Sequence, residues 1–195
     1  ALHSAGGTLN SGESEEALAL AISLKLLPQP TLGAAAAGML SVDGRCKTFD
    51  RRANGYVRSE ALGAAVMQVT PLDGMPARMN SALAGSAVRQ DGRSASLTAP
   101  NGSAQRKLLM VALSRASAHA AQMEGVEAHG TGTALGDPTE TGAIAAVHDL
   151  EERAVPLTVG AAKASVGHSF GASGHVGLLR MQEAFTSSAR ACNAQ

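Results

Sequence analysis

The stretch Glu127–Glu140, with the sequence EAHGTGTALGDPTE, decides how the rest of the chain is interpreted. A short apolar run, Met123–Ala128, leads into it and predicts a strand, and a histidine followed by alternating glycine and threonine comes next. Asp137 is a favourable N-cap residue, the proline after it suits the first helical position, and Glu140 completes a capping box. The pattern predicts that His129 lies on a glycine-rich loop between a strand and a helix, where backbone and substrate can approach closely.

A second histidine has a matching context. The apolar segment Leu157–Ala162 predicts a buried strand, and Lys163–His168 and a glycine-rich segment follow it. An apolar helix is predicted from about His175 to Phe185. The two strand–loop–helix units are close in sequence, so we expect His129 and His168 to come together at one site.

The remainder of the chain alternates predicted strands and helices. Large and small apolar residues alternate from Leu18 to Leu26, which predicts a strand that is covered on both faces. The other predicted elements are a helix over Ala1–Leu9, helical turns over Thr31–Ala37, strands over Tyr56–Val69 and Ser81–Val88, and a helix over Ser103–Ala120. This order predicts an α/β layered fold with a mainly parallel sheet.

The bulk composition excludes several classes of function. Sixteen basic and sixteen acidic residues cancel in the 195-residue chain, so no charge pattern favours nucleic acid or an anionic membrane as partner. Cys46 and Cys192 are too few for a disulfide framework. No apolar run is long enough to span a membrane, and the first ten residues do not form a signal peptide. We therefore expect a soluble, intracellular protein, located in the cytoplasm or a plastid.

Two alternative sites are weighed against the paired histidines. His129, His148, Asp137 and Glu140 could suggest a metal centre, but no pair has a standard ligand spacing, so no metal site is predicted. The glycines of the second unit could suggest a dinucleotide loop, but their spacing differs from that motif. The histidine pair is left as the main candidate.

Several segments occur in the order found in one known family. They are Asp43–Asp50 (DGRCKTFD), Gly55–Glu60 (GYVRSE), Asp91–Ser94 (DGRS), Leu97–Gly102 (LTAPNG), Glu127–Thr133 with Gly136–Pro138, and Lys163–His168. Together they resemble the β-ketoacyl synthase family, most closely the ketosynthase domains of type I polyketide synthases. The resemblance extends from Ala1 to about Met181.

The resemblance implies a fold and a reaction. The fold is the thiolase-like layered sandwich, in which the sheets of two related α/β halves enclose buried helices. The reaction is a decarboxylative Claisen condensation between an acyl thioester and a malonyl-type extender. The implied partners are these thioesters and an acyl carrier protein, whose phosphopantetheine arm carries the substrate. No cofactor bound directly to the chain is implied, and the parent protein is expected to be a homodimer.

The resemblance also assigns roles to individual residues. His129 and His168 are expected to stabilise the negative charge that develops on the malonyl thioester oxygen, and Lys163 to support the second histidine through a polar network. Thr131 and Thr133 are expected to face the pantetheine arm. Two acids are assigned to the supporting network, in addition to their capping role: Asp137 and Glu140.

The family nucleophile, a cysteine, is expected a few residues before Ala1. Cys46 matches a non-catalytic cysteine of the family, and Cys192 lies in an irregular tail over 186–195. We therefore interpret 1–195 as part of a ketosynthase domain, covering the end of its first half and most of its second, and inactive by itself. Half a sandwich is also expected to leave apolar sheet and helix surface exposed.

Two alternative functions are also consistent with the sequence. The parent protein could be a non-catalytic, ketosynthase-like partner or scaffold, and the residue at the nucleophile position would distinguish this from an enzyme. It could also be a fatty-acid ketosynthase, since Gly167–Gly174 resembles that branch equally well. Asp43–Asp50 and Leu97–Gly102 favour the polyketide branch.

Overall fold

The computed structural model describes residues 1–69, 81–94, 96, 99–149, 153 and 155–187. Within them the helices are α1 (Leu2–Asn10), α2 (Gln29–Ala36), α3 (Gly102–Arg115), α4 (Gly136–His148), α5 (Lys163–Val166) and α6 (Ser173–Ser187). The strands are β1 (Glu16–Ser23), β2 (Ala61–Gln68), β3 (Gly125–Glu127) and β4 (Thr158–Gly160). Strand β1 pairs antiparallel with β2, and β3 pairs parallel with β4. The mainly parallel arrangement that we expected therefore describes β3 and β4 but not β1 and β2.

The small residues of β1 and β2 form the covered face of their sheet. Ala19 is buried, and the Nε2 atom of His175, near the start of α6, lies 3.2 Å from its carbonyl oxygen. A Cβ atom added at Gly63 would lie only 2.7 Å from the Cβ atom of His175. Since only small side chains permit such a close approach, Gly63 allows α6 to pack on the sheet rather than interrupting β2.

The large residues of the same strands lie on the opposite face, which is exposed. Leu18 pairs with Val66 and Ile22 pairs with Leu62, and all four side chains are more than half exposed. The sequence prediction that both faces of β1 are covered is therefore wrong for this structure. The expectation of exposed apolar sheet surface is confirmed.

Strands β3 and β4 place the two histidine-bearing segments side by side. Val126 is in register with Val159, and the Ala128 N–H extends the ladder by donating to the Gly160 carbonyl oxygen at 2.7 Å. Because the strands are parallel, the segments that leave them emerge at the same edge of the sheet. His129 lies two residues after the end of β3, whereas the single turn of α5 lies between β4 and His168.

The helix α3 begins where the sequence predicted a helix. The Asn101 side chain is its N-cap and accepts hydrogen bonds from the backbone N–H groups of Ser103 and Ala104 at 3.1 and 3.2 Å. The helix ends at Arg115, five residues before the predicted end at Ala120. Its first residue, a glycine, lies close to α4: a Cβ atom at Gly102 would lie 3.2 Å from the side chain of Thr139, so the two helices pack closely here.

The predicted strand over Ser81–Val88 is not formed. This segment lies against α1 and α3: Ser86 bonds through its hydroxyl to His3 Nδ1 at 2.8 Å and through its carbonyl oxygen to the Arg115 guanidinium at 2.8 Å. A Cβ atom at Gly85 would lie 2.6 Å from the Ala116 backbone nitrogen. Contacts with helices therefore replace strand pairing.

The irregular tail predicted over 186–195 does not begin at residue 186, because α6 continues through Ser187. The remaining residues of that tail lie outside the described part of the chain. Among the described helices, none is long and apolar enough to cross a bilayer.

Candidate active site

His129 and His168 lie together, as the paired strand–loop–helix units predicted. Their ring centroids are 5.5 Å apart and the ring planes are nearly perpendicular, at 89°. His129 is exposed at the site and His168 is half-buried. Two imidazoles at this separation can act on one small group of a substrate placed between them.

The His129 loop (residues 128–135) is anchored by Glu140, on the first turns of α4. One carboxylate oxygen accepts a hydrogen bond from the His129 N–H at 2.6 Å, and the other accepts one from the Gly130 N–H at 2.8 Å. The Thr48 hydroxyl donates to the Gly130 carbonyl oxygen at 2.7 Å. Both sides of the Gly130 backbone are thus bonded, which fixes the direction in which the His129 side chain leaves the loop.

Asp137 anchors the same loop and does not cap α4, so the predicted capping role is wrong. The helix begins at Gly136 with Leu135 in the N-cap position. The buried Asp137 carboxylate instead accepts hydrogen bonds from the N–H groups of Gly132 at 3.1 Å, Thr133 at 3.3 Å and Phe49 at 2.8 Å. A buried carboxylate needs such donors, and three backbone groups supply them here.

The His168 loop (residues 167–172) is held by backbone pairing with the segment before β2. The His168 N–H donates to the Val57 carbonyl oxygen at 2.8 Å, and the Ser59 N–H donates to the His168 carbonyl oxygen at 3.0 Å. Gly167 has φ 75° and ψ −174°, a conformation that side chains rarely permit. The loop can therefore turn from α5 into this pairing only through a glycine.

One hydrogen bond fixes the tautomer of His168. The Phe170 backbone N–H lies 3.2 Å from Nδ1 of His168, so Nδ1 acts as the acceptor. In a neutral imidazole with an accepting Nδ1, the proton is on Nε2. The Nε2–H group of His168 is then available as a hydrogen-bond donor.

The surroundings keep both histidines neutral at pH 7. Burial, and secondarily the positive charges of Lys163 and a protonated His129, lower the pKa of His168 to about 4. The protein atoms around the partly open His129 ring also exclude water, and this burial, with the Lys163 charge, lowers the pKa of His129 below its usual range. Burial lowers the pKa of Lys163 itself, while nearby carboxylates, led by Glu140, oppose that shift.

Two neutral imidazoles can stabilise an oxyanion between them. A neutral ring offers one N–H donor, and donors fixed on short loops need no reorganisation as charge develops on the substrate. Removing one such donor from an enzyme typically costs roughly 3 kcal/mol of transition-state stabilisation. The geometry therefore fits a reaction in which a carbonyl oxygen gains negative charge.

Thr131 and Thr133 line a cavity that opens beside His129. The cavity has a volume of about 740 Å³, and its lining also includes Tyr56 and Leu135. Thr131 is buried, its hydroxyl oxygen lies 3.4 Å from that of Thr133, and the Thr133 hydroxyl accepts a hydrogen bond from the Gly136 N–H at 3.2 Å. A cavity of this volume is large enough for an extended organic group, and the two hydroxyls provide polar contacts within it.

Cys46 has the properties of a structural cysteine. It is 2% exposed, and its sulfur accepts a hydrogen bond from the Val57 N–H at 3.4 Å. Burial raises the pKa of its thiol, which disfavours the nucleophilic thiolate. The other cysteine, Cys192, lies outside the described residues.

An ion pair that was not predicted from the sequence lies behind the site. Glu127, at the end of β3, accepts a hydrogen bond from the Ala162 N–H at 2.5 Å and forms a 2.8 Å salt bridge with Arg180 of α6. Both side chains are mostly buried, and Gly177 leaves room for Glu127 against the helix. An acidic residue at the end of an otherwise apolar strand was the signal that could have revealed it.

Two aromatic rings that were not predicted as site residues contact His168. The Phe170 ring stacks on the imidazole with centroids 4.6 Å apart and planes within 4°, and the Tyr56 ring contacts the imidazole edge-on at 5.4 Å. Phenylalanine and tyrosine are rare in this chain, which was the available signal. Within the described residues, no group of three or more side chains of the metal-ligating types is placed to hold a metal ion.

Family models match almost the whole chain. The model of the β-ketoacyl synthase N-terminal domain matches residues 1–71, and that of the β-ketoacyl synthase C-terminal domain matches residues 80–189. The boundary between the two matches falls after β2, so both histidine loops belong to the C-terminal match.

Individual relatives are polyketide synthases and their ketosynthase domains. The chain is 44% identical over 183 residues to a component of the phenolphthiocerol/phthiocerol polyketide synthase of Mycobacterium tuberculosis, covering 92% of this chain and 8% of that protein. It is 39% identical over 183 residues to erythronolide synthase EryA2 of Saccharopolyspora erythraea, covering 92% of this chain and 5% of that protein. The chain thus spans less than a tenth of the length of these two relatives.

A solved ketosynthase structure has the same fold as this chain. The ketosynthase from module 6 of the bacillaene synthase of Bacillus subtilis 168 superposes with a TM-score of 0.89 at 33% identity, covering 95% of this chain and 34% of that one. The thiolase-like α/β fold expected from the sequence is confirmed. This chain belongs to the β-ketoacyl synthase family.

Proposed function

We propose that the chain forms part of a β-ketoacyl synthase that catalyses a decarboxylative Claisen condensation in polyketide biosynthesis. An acyl group is held as a thioester on a cysteine of the complete enzyme. A malonyl-type extender on a carrier protein loses carbon dioxide, and the electrons of the broken C–C bond form an enolate. The enolate carbon attacks the acyl carbonyl, and collapse of the resulting intermediate releases the cysteine thiolate and the β-ketoacyl thioester.

The observation that carries this proposal is the pair of neutral imidazoles. His129 and His168 are 5.5 Å apart, and the tautomer of His168 presents an Nε2–H donor. The oxygen of the extender thioester gains negative charge when the enolate forms. Two N–H donors that converge on this oxygen lower the barrier to decarboxylation, because they interact more strongly with the enolate than with the ground state.

Lys163 supports this role through its charge rather than through contact with the reacting atoms. It is 7% exposed, and its positive charge lowers the pKa of both histidines. A neighbouring cation disfavours the imidazolium form. Together with burial, which is the larger cause, the Lys163 charge favours the neutral form of both rings, in which each has one N–H to donate and a lone pair on the other nitrogen.

The cavity beside His129 suits the phosphopantetheine arm of an acyl carrier protein. The arm is long and narrow and contains amide groups, and the hydroxyls of Thr131 and Thr133 can bond to amides. Asp137 and Glu140 hold the loop on which both threonines and His129 lie. They thus act indirectly, by orienting the groups that contact substrate.

The cysteine that accepts the acyl group is not Cys46. That thiol is buried, its pKa is raised, and it is bonded to the backbone of Val57. The nucleophile is instead the cysteine that the family resemblance places shortly before Ala1. A non-cysteine residue at that position would favour a scaffold or gating role for the same fold.

The proposal is tested in the complete ketosynthase by replacing His129 and His168 separately with alanine. Release of carbon dioxide from a malonyl thioester and loading of the cysteine by an acyl thioester are measured as separate reactions. Each variant is expected to lose decarboxylation by about 100-fold or more, as for other preorganised donors, while loading is largely retained. The exposed His119→Ala serves as the matched control and should behave as wild type in both assays.

Two results would contradict the proposal. Wild-type decarboxylation in either histidine variant would remove that residue from the reaction. Absence of both loading and decarboxylation in the folded wild-type protein, with a residue other than cysteine at the nucleophile position, would support the scaffold function instead.

A further inference from the structure

We propose that Phe170 is a positioning residue for His168: its ring fixes the plane of the imidazole against that of His129 and shields the imidazole from water. This inference rests on the proposed function, because it assigns a support to one of the two proposed donors. Phe170 acts through His168 rather than on the reacting atoms.

The stacking geometry is the first observation behind this proposal. The rings of Phe170 and His168 are separated by 4.6 Å between centroids and differ by only 4° in orientation, whereas His168 and His129 are perpendicular. Backbone pairing holds the His168 main chain, and the Phe170 N–H holds Nδ1 of its ring at 3.2 Å, but one hydrogen bond still allows the ring plane to tilt. A flat surface parallel to the imidazole limits that rotation and so determines where Nε2–H points.

The second observation is that the Phe170 ring is itself held in place. The Arg58 guanidinium lies over this ring at 4.8 Å, and the Tyr56 ring meets it edge-on at 5.8 Å. Arg58 also donates from Nη1 to the Thr31 hydroxyl at 3.1 Å, while its buried Nε has no hydrogen-bond partner among the described residues. The guanidinium is thus placed over the aromatic face without an acidic partner in the described part of the chain, as expected for a cation–π contact.

The third observation is the backbone conformation of Phe170. Its φ of 47° is in the left-handed region, which is unusual for a bulky residue and favours glycine. The Ser173 hydroxyl donates to the Phe170 carbonyl oxygen at 2.7 Å and holds this turn. A glycine would adopt the same turn more easily. The turn therefore does not explain a phenylalanine at this position, which indicates a separate role for its ring.

The same ring accounts for part of the electrostatic environment of His168. Burial is the main cause of the low His168 pKa, and Phe170 covers one face of the imidazole. Removing the ring admits water and favours the imidazolium form. Only the neutral imidazole has the tautomer that accepts at Nδ1 and donates from Nε2. As the pH falls, a variant without the Phe170 ring should therefore lose decarboxylation at a higher pH than the wild type does.

The test is the pH dependence of malonyl decarboxylation in the complete ketosynthase. Rates at pH 5.5 and 7.5 are compared for wild type, Phe170→Ala and Phe170→Tyr. The wild-type ratio of the two rates is the reference, since His168, with a pKa of about 4, stays neutral at both pH values. Phe170→Ala should lose up to about tenfold at pH 5.5 relative to pH 7.5, since a histidine with an ordinary pKa near 6.5 is only about one-tenth neutral there.

Two matched variants separate positioning from folding. Phe170→Tyr keeps the stacked ring and should retain the wild-type pH dependence. Phe170→Gly removes the ring and relaxes the backbone, so it should fold and still show the low-pH loss. In both variants without the ring, kcat should fall more than KM rises, because the ring acts on His168 rather than on substrate binding.

The outcomes distinguish this inference from the proposed function. If Phe170→Ala and Phe170→Gly keep the wild-type rate and pH dependence while His168→Ala abolishes decarboxylation, the inference is wrong and the proposed function stands. If His168→Ala decarboxylates at the wild-type rate, the proposed function fails, and this inference fails with it.

Discussion

The His129 loop is anchored by two carboxylates, whereas the His168 loop is anchored by backbone pairing and an aromatic ring. Asp137 and Glu140 together accept hydrogen bonds from five backbone N–H groups, and four of these lie in the His129 loop. The His168 loop instead bonds to Val57 and Ser59 and places its imidazole against Phe170. The two histidines therefore reach one site through different chemistry.

This difference determines which kind of substitution destabilises each loop. A loop held by fixed charges depends on particular side chains, so removal of a carboxylate leaves several buried donors without partners. A loop held by its backbone depends on conformation, so it is most sensitive where a side chain cannot fit.

The largest effect is expected from Asp137→Ala in the His129 loop. It removes the acceptor of three backbone N–H groups, in a site where the carboxylate is 4% exposed. Unsatisfied buried donors cost about 1–3 kcal/mol each, so the free energy of unfolding should fall by roughly 3–5 kcal/mol after partial relaxation. Chemical denaturation of the complete ketosynthase measures this change.

The matched control is Asp149→Ala, which removes an exposed carboxylate just after the same helix. Its effect should be within about 0.5 kcal/mol, as for most surface positions. Equal stability of the two variants would show that the carboxylate of Asp137 does not hold the loop.

The next largest effect is expected from Gly167→Ala in the His168 loop. An added Cβ atom would lie 3.1 Å from Val57 Cγ1 and 3.2 Å from the Val57 carbonyl oxygen, in a backbone conformation that disfavours side chains. Backbone strain and overpacking cost about 1–3 kcal/mol each, so a loss of roughly 2–4 kcal/mol is expected. The loss should be accompanied by reduced decarboxylation, because the turn sets the position of His168.

Gly174→Ala provides the control for this glycine. Its Cβ atom would meet open space in the first turn of α6, where alanine should stabilise by about 0.4–1 kcal/mol because it restricts the unfolded chain. In denaturation experiments, Gly167→Ala should therefore lower the free energy of unfolding and Gly174→Ala should raise it. A neutral Gly167→Ala would contradict the conformational account of this loop.

A smaller effect, on pH dependence, is expected from Lys163→Met. The positive charge of Lys163 lowers the pKa of both histidines, so its removal should raise both. Under the proposed function, decarboxylation requires neutral rings. As the solution is acidified, the variant should therefore lose activity at a higher pH than the wild type. The ratio of decarboxylation rates at pH 5.5 and 7.5 measures this shift.

This variant sharpens the contrast between the loops because the Lys163 charge lowers the pKa of both histidines, whereas the proposed action of Phe170 is on His168. Combining Lys163→Met with Phe170→Ala should therefore lower the pH 5.5 rate further than either change alone. An unchanged pH dependence in Lys163→Met would show that its charge does not control the rings.

The sequence predicted the elements around the site better than those elsewhere. The two strand–loop–helix units were predicted because glycine-rich turns and apolar runs are local signals. The segment Ser81–Val88 was predicted as a strand from its composition, but contacts of Ser86 with α1 and α3 decide its conformation. The exposed face of β1 was also unpredictable, since alternation identifies two faces without identifying which of them is covered.

Within the site, residue identity was easier to predict than residue contacts. His129, His168 and Thr131 were identified from the motifs, and the structure brings them to one region. The carboxylate of Asp137 fits an N-cap by local sequence, yet one of its partners is Phe49, distant along the chain. The stacking of Phe170 likewise depends on a strained turn that no local propensity favours.

The most direct test of the central claim is the ionisation of the two histidines. Histidine-selective ¹⁵N labelling of the complete ketosynthase, with His168→Gln and His129→Gln for assignment, reports the protonation of each ring nitrogen between pH 4.5 and 8. We predict that both rings are neutral at pH 7, that His168 carries its proton on Nε2, and that it begins to titrate only as the pH approaches its value of about 4. A His168 that titrates near 6.5, or that carries its proton on Nδ1, would contradict the account of a preorganised pair of neutral donors.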